Sequence, residues 1–439
     1  MTKEANAISA HKLAGRALYE SIGSPRYIVA PMVEHSELAW RILSRRYGAD
    51  LCYTPMFHAR LFATSPKYRQ ENWCDADGSK FDRPLIVQFC ANDPQEFLDA
   101  ARMVVGQCDA VDLNLGCPQG IARRGNYGAF LQENWTLIHD LISKLHNELE
   151  VPVTAKFRIL DTPEKSLEYA RMIVEAGAQF VTIHGRTREM KGQNTGIANL
   201  ERLKFLRNGL GKEQVMFANG NVVYPGDADL LIEATCADGA MSAEGNLYNP
   251  AIFRSAATCP SDVHLTDWLY PRVDKVCREY IDIVKSVPQS AVSKHVMKSH
   301  LFKILRPFLP MQTDIRAMLG KSSPRHDDWS VWDSLVKAVE ERVSEILSKP
   351  ENAARDLEVY EGPLEEWGGR YKDIAYWRCQ PYFRTVNGQT PGYVKPIEEP
   401  ESVKRSASPE SVKRPASPES VKRPASPEEF DSKRAKMGN

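Results

Sequence analysis

The chain has 439 residues, enough for one large domain and a smaller one around a sizeable core. Lys+Arg and Asp+Glu both total 57, so global charge points to no partner and any basic surface has to be local. Nine cysteines without a C-x-x-C pair argue against a zinc site and a disulfide framework and fit a reducing compartment; with no signal peptide and no run near about 20 apolar residues, a cytoplasmic and/or nuclear protein with no metal and no membrane partner is expected.

An N-terminal extension, 1–24, precedes a region, 25–258, in which strand-like and helix-like segments alternate. The strand candidates are 27–32, 51–56, 84–90, 109–115, 151–158, 180–185, 214–222 and 237–243. Helical patterns over 37–47, 95–106, 131–149, 164–177, 200–210 and 227–235 separate them, and a polar insertion rich in Asp and Lys precedes Pro84. Eight apolar runs, each followed by a crossover, predict parallel βαβ units of the α/β class. Over this length they favour a closed (β/α)8 TIM barrel above a doubly wound open sheet. No G-x-G-x-x-G falls between a strand and a helix, which argues against a Rossmann site.

From 266 to 348 the strand signals vanish and helical periodicity predicts a small bundle domain. Positions 283–313 contain no Asp or Glu yet carry Lys285, Lys294, Lys298, Lys303 and Arg306. At 100° per residue, His295, Ser299, Lys303 and Arg306 share one face, opposite Met297, Leu301, Ile304 and Phe308. That face reads either as solvated or as phosphate-binding. Residues 350–399, with Trp367-Gly368-Gly369 and the 377–382 segment, read as an irregular aromatic extension packed back on barrel or bundle.

Nine-residue repeats begin at Pro400, Pro409 and Pro418, and 400–439 has too few large apolar residues to fold, so it should be a disordered tail. Lys422-Arg423 and Lys433-Arg434-Ala435-Lys436 are spaced like a bipartite nuclear import signal, and Ser408, Ser417 and Ser426 each precede proline. A nuclear import receptor and a proline-directed kinase are therefore candidate partners, with a solubilising tail as the alternative.

One thiol stands apart. The run Asp109–Leu115 alternates like a strand and breaks at Gly116, and Cys117 is followed by Pro118, which cannot continue a central strand. A basic loop with Arg123 and Arg124 follows before a helical pattern near Ala129. A small buried cysteine in a turn is the alternative reading. Other polar groups sit at strand ends, where a barrel carries its chemistry: Pro31-Met32-Val33, Gln88, Lys156, His184-Gly185-Arg186-Thr187-Arg188, Asn219-Gly220-Asn221 and Ala243-Glu244. A lysine inside a core strand is costly unless paired with an anion. The small residues on the last two loops let backbone N–H groups approach a phosphate.

Asn114-Leu115-Gly116-Cys117-Pro118 with Gln119 and the Arg-Arg-Gly-x-x-Gly continuation resembles the signature of the tRNA-dihydrouridine synthases. The resemblance extends over about 25–345, and with Trp377–Tyr382 the pattern is most similar to one eukaryotic branch of that family. It implies an FMN-dependent enzyme that reduces specific uridines in the D-loop of tRNA to 5,6-dihydrouridine, with NADPH or NADH as reductant. Hydride would pass from flavin N5 to uracil C6, with Cys117 protonating C5. It implies FMN contacts from Pro31, Met32, Val33, Gln88, Lys156, His184, Asn219, Gly220, Asn221, Ala243 and Glu244. Asn114, Arg123, Arg124, Arg186, Arg188, Lys303 and Arg306 would meet the RNA. Many bacterial relatives have Gly-Arg where this chain has Ala243-Glu244, so an arginine contact to phosphate is absent. The competing readings are a barrel acting on a free small molecule, as dihydroorotate dehydrogenases do, and a catalytically idle RNA-binding protein.

Overall fold

The computed structural model describes residues 12–74, 76–192, 195–288, 290–323, 329–358 and 374–382. The repeats from Pro400 and Trp367-Gly368-Gly369 lie outside the described residues. The described residues contain nine parallel strands: β1 (Tyr27–Val29), β2 (Leu51–Tyr53), β3 (Phe57–His58), β4 (Leu85–Cys90), β5 (Ala110–Leu115), β6 (Val153–Arg158), β7 (Phe180–His184), β8 (Val215–Asn219) and β9 (Gly239–Ser242). Because β1 pairs with both β2 and β9, and β2 pairs with β4, eight of them close into a ring. This is the expected TIM barrel. The two-residue β3 is an addition beside the upper end of β4, with Phe57 opposite Phe89.

Side chains alternate between two environments along every strand. Val87, Phe89, Val111, Leu113, Ala155 and Phe157 face outward into the layer of helices. The opposite parity fills the barrel. Its lower part is apolar, built from Ile28, Leu51, Tyr53, Ile86, Phe180, Val215, Phe217 and Met241. Toward the strand C-termini the same parity turns polar, with Gln88, Asp112, Asn114, Thr154, Lys156, His184 and Asn219. A packed plug below and polar groups above put all wettable interior at one mouth. Truncating a plug residue such as Phe217 to Ala should cost about 3–5 kcal/mol.

The long helices end near the expected positions, and Leu200–Leu210 and Asp227–Thr235 coincide with them. Two segments differ. The expected helix from 131 begins at Trp135, because Asn134 caps it by accepting from the Leu137 amide, and Gly128–Leu131 is a 3-10 turn. The polar insertion before Pro84 contains helices Ala59–Thr64 and Pro66–Asn72, the second capped by Ser65.

Helices Val273–Ser286, Ala291–Ile304, Thr313–Lys321 and Ser330–Leu347 follow the barrel. Their apolar faces do not pack only on one another. They enclose Trp40 and Leu43 of helix Leu38–Arg46 and Tyr47 at its C-cap, together with Leu247 and Ala251. A buried polar junction reinforces this contact: Glu37 accepts from His300 Nε2 (3.0 Å) and from the Tyr280 hydroxyl (3.1 Å), while His300 stacks on Trp40. Residues 374–382 return to the same core. Trp377 and Arg378 are fully buried, and Arg378 donates to Asp356, Asp267 and the Tyr270 carbonyl.

Candidate active site

Cys117 sits two residues past β5 at the polar mouth, half-buried, on a loop held from every side. Asn114 Oδ1 accepts from the Gly116 amide at 3.1 Å and the Cys117 amide at 2.9 Å. Arg158 Nε donates to the Gly116 carbonyl at 2.8 Å, and the Ala129 amide donates to the Cys117 carbonyl at 3.1 Å. Gly128, at φ +64°, lies so close that a Cβ there would stand 2.9 Å from the Cys117 carbonyl oxygen. A side chain at 128 would push the thiol out of place. The basic stretch after Cys117 is not all loop: Gly120–Arg124 forms a short helix that leaves Arg123 and Arg124 exposed at the rim.

Beneath the thiol runs a connected set of side chains. Thr154 Oγ1 donates to Asp112 Oδ1 (2.7 Å), Gln88 Nε2 to Asp112 Oδ2 (2.8 Å), and Asn114 Nδ2 to Gln88 Oε1 (2.8 Å). Burial pushes the Asp112 carboxyl up to about 6, against the hydrogen bonds from Gln88 and Thr154 and the charge on Lys156. Gln88 has no exposed surface. It lies in the floor beneath the mouth, where the sequence suggested a ligand contact.

Above this floor the interior is cationic. Lys156, opposite Asn114 in the β5–β6 register, has no carboxylate at hydrogen-bond distance among the described residues. Burial and the neighbouring Arg158 lower it to about 8. Arg158 and Arg186 are lowered to about 10 by burial. His184 is driven well below its usual range by burial and then by Arg158, Lys156 and Arg186, so it is neutral at pH 7. Arg186 Nη1 donates to His184 Nε2 at 3.0 Å; a guanidinium only donates, which puts the imidazole proton on Nδ1. The rest of Arg186 is engaged by the Thr195 and Gly196 carbonyls and Asn221 Oδ1. It is 9% exposed. Expected as an RNA contact, it instead sets the tautomer of His184.

His184 and Arg186 line a cavity of about 240 Å³ bounded by Asn219–Val223 and Met241–Gly245. The side chains of Asn219 and Asn221 are engaged within the protein, by the Met241 carbonyl and by both backbone groups of Ala198. What these loops present is backbone. The amides of Gly220, Asn221 and Ala243 make no backbone hydrogen bond among the described residues. Gly220 has φ +128°, and a Cβ on it would fall 2.6 Å from Ala198 Cβ. Glu244 is near enough to Lys303 and Arg186 to raise the proton affinity of both. Tyr248 and Tyr382 close the cavity edge, 5.4 Å apart, and the Arg306 guanidinium lies 4.2 Å above Tyr382.

The remaining expected residues scatter around this mouth. Met32 packs at the meeting of the barrel and bundle cores, whereas Val33 is 56% exposed and lines a separate cleft with Phe57 and Tyr68. Arg188 ties loops together through Glu133 (2.5 Å) and the Ala129 carbonyl. Lys303, expected on phosphate, donates to His35 Nε2 and Ser299 Oγ at 2.8 and 2.9 Å. The helix expected to carry the basic face ends at Ile304, so Arg306 and Phe308 lie in the turn beyond it; His295, Ser299, Lys303 and Arg306 still line one cleft, while Met297, Leu301, Ile304 and Phe308 are buried.

The dihydrouridine synthase family model matches residues 28–338, from the first barrel strand through most of the bundle. The chain belongs to the dihydrouridine synthase family. It is 58% identical over 387 residues to the tRNA-dihydrouridine(16/17) synthase of Saccharomyces cerevisiae, covering 88% of this chain and 90% of that one. It is 47% identical to the protein of the same name from Schizosaccharomyces pombe, over 89% and 96% of the two chains. A tRNA-dihydrouridine(20a/20b) synthase-like protein of Homo sapiens is 36% identical over 55% of this chain.

The flavin mononucleotide implied for such a dihydrouridine synthase fits these residues. Lys156, Arg158 and Arg186 crowd three positive charges at one barrel mouth, beside an imidazole kept neutral, and an anionic ligand relieves their mutual repulsion. Backbone amides on two adjacent loops, one containing a glycine that tolerates no side chain, suit a phosphate. Sequence reasoning passed over Asp112, Thr154, Arg158 and Tyr382. The first three were accessible from parity alone, since they lie two residues from Asn114 or Lys156 on strands already assigned.

Proposed function

We infer that this chain reduces uridine in tRNA to 5,6-dihydrouridine with NAD(P)H as electron source. The observation that carries the reading is the arrangement of Cys117, Lys156 and His184 at one barrel mouth, in a chain matching most of two yeast relatives that bear the name NAD(P)(+) tRNA-dihydrouridine(16/17) synthase.

Bound FMN would supply the two-electron reduction of the uracil C5=C6 bond. Lys156 would donate to the polar edge of its ring and favour negative charge there. The amides of Gly220, Asn221 and Ala243, with His184 Nδ1–H, would hold its phosphate. Gln88 acts from beneath, by keeping Asn114 in place. Cys117 delivers the proton to C5. A thiol S–H at the mouth carries a proton that it can give up, as a general acid has to. Uracil edges are shielded in folded RNA, so the target base is splayed outward into the mouth. Arg123, Arg124 and Arg306 stand exposed around that entry and suit backbone phosphates. The tail's paired basic clusters support nuclear import, and its Ser-Pro sites support control of that import by a proline-directed kinase.

The experiment is to incubate purified protein, FMN and NADPH with unmodified tRNA and to map dihydrouridine by mass spectrometry. The reading requires a product carrying two added hydrogens at a defined D-loop uridine. Steady NADPH oxidation on a free pyrimidine, with tRNA untouched, would replace it by a small-molecule reductase.

A further inference from the structure

We propose that Asp112 is a positioning residue for the Cys117 thiol, setting the direction of a hydrogen-bond relay that ends on the Cys117 amide. The proposal rests on Cys117 being the proton donor for the reaction inferred above.

The relay crosses three strands of the barrel interior. From Thr154 on β6 it passes to Asp112 on β5, to Gln88 on β4, and back to Asn114 on β5. From Asn114 Oδ1 it reaches the amides of Gly116 and Cys117. All four side chains are nine-tenths or more buried, and none of their bonds exceeds 2.8 Å before the backbone amides. A donor or acceptor left unmatched here pays its desolvation with nothing in return, so the network is all or none.

Its polarity is not free. Gln88 and Asn114 are amides that fit their sites in either orientation, with oxygen and nitrogen exchanged. The Cys117 loop needs oxygen from Asn114, because both partners there are N–H donors. That requires Asn114 to give its NH2 to Gln88, hence Gln88 to offer oxygen to Asn114 and NH2 to residue 112. Only an acceptor at 112 completes this order, and an ionised carboxylate accepts at both oxygens and donates at neither. Asp112 therefore excludes the flipped arrangement, in which Asn114 would turn its NH2 against the Gly116 and Cys117 amides. Asp112 lies five residues before the thiol and is hydrogen-bonded to Gln88 and Thr154, not to Cys117, so its influence runs through the relay.

This predicts a rescue that simple packing does not. In Asn114→Asp, two carboxylates face the two ends of one Gln88 amide, which can donate to only one of them. Adding Asp112→Asn restores every partner: Gln88 turns over, donates to residue 114, and accepts from residue 112, whose oxygen still takes the Thr154 hydroxyl. The acceptor for the Cys117 amide is kept. Asp112→Asn alone still permits the order, which the Gly116 and Cys117 amides favour, because the Thr154 hydroxyl can switch from donating to accepting, but it no longer forbids the flipped one.

The test uses the full-length protein at matched flavin content. The rate of iodoacetamide alkylation at Cys117, read by peptide mass spectrometry, reports the thiol's placement without turnover. Dihydrouridine formation under single-turnover conditions reports its catalytic use. Asn114→Asp should change alkylation several-fold and slow turnover by about 10²-fold, the scale of a misplaced catalytic group. Asp112→Asn/Asn114→Asp should return both to within about threefold of the parent, and Asp112→Asn alone should lose less than about threefold. A double variant no better than Asn114→Asp would overturn the proposal, as would wild-type alkylation and turnover in Asp112→Leu. If alkylation follows the expected order while turnover ignores it, the relay stands and the assignment of Cys117 as proton donor falls.

Discussion

Lys156 is a charge the protein holds at a cost for the benefit of a ligand, and replacing it by methionine should separate the two effects. Its displacement from 10.5 to about 8, at about 1.4 kcal/mol per pH unit, corresponds to about 3 kcal/mol against the folded flavin-free protein at pH 7. For a lysine whose folded value is depressed, the unfolded chain holds the proton more tightly between the two values. The penalty is therefore complete below about 8 and gone above 10.5, the value of the free side chain. Methionine keeps the stem and packs in the same slot beside Asn114 without the charge. Flavin-free Lys156→Met should be more stable than the parent by about 2–3 kcal/mol at pH 7, a rise of several degrees in Tm, with the gain fading toward pH 10.5. FMN affinity should move the opposite way, falling at least about tenfold with the loss of a charge-assisted hydrogen bond. Differential scanning calorimetry of both proteins across pH 6–10, with FMN titrated by fluorescence quenching, measures both arms. A flavin-free variant less stable than the parent at pH 7, or one with unchanged FMN affinity, would refute the reasoning.

Other outcomes follow from the same geometry. Glu37→Ala removes the acceptor shared by buried His300 and Tyr280 and should cost about 3 kcal/mol, read as a lowered denaturation midpoint; an unchanged midpoint would make that junction incidental. Arg306→Glu should weaken tRNA binding and reduce the salt slope by about one, with FMN content unchanged, because its guanidinium is exposed over Tyr382 while Lys303 is already engaged. Deleting residues 400–439 should leave turnover in vitro intact and reduce nuclear accumulation of a tagged protein, as seen by microscopy; equal nuclear signal would reduce the tail to a solubilising role.

The barrel was legible because all eight strands alternate or run apolar between turn signals, and the structure shortens them by only a few residues at each end. The insertion helices Ala59–Thr64 and Pro66–Asn72 were not, since six and seven residues are too few for a helical period to show in the sequence. Strand-end positions identified Lys156 and His184 as groups of the mouth, because period-two parity carries that information locally. It could not tell which arginines face outward. Arg186 is buried by carbonyls ten residues on and by Asn221, 35 residues on. Arg378 is fixed by Asp356 and Asp267, 22 and 111 residues away. Such partners are set by tertiary contact and leave no periodic trace. The polar floor was half visible: Asn114 and Gln88 stood out by residue type, but the direction of their amides depends on Asp112 and Thr154, across three strands.

The measurement closest to the centre of the account is the rate at which tRNA reoxidises the pre-reduced Cys117→Ala holoenzyme, followed by flavin absorbance in a stopped-flow instrument. With Gly116, Asn114 and Gly128 unchanged, the alanine loop should keep its shape, and FMN content, tRNA affinity and reduction by NADPH should match the parent. Reoxidation by tRNA should slow by about 10²–10⁴-fold, the usual contribution of a general acid, and Cys117→Ser should do little better because a hydroxyl is a far weaker acid. Reoxidation at the parent rate would make Cys117 structural and contradict the mechanism.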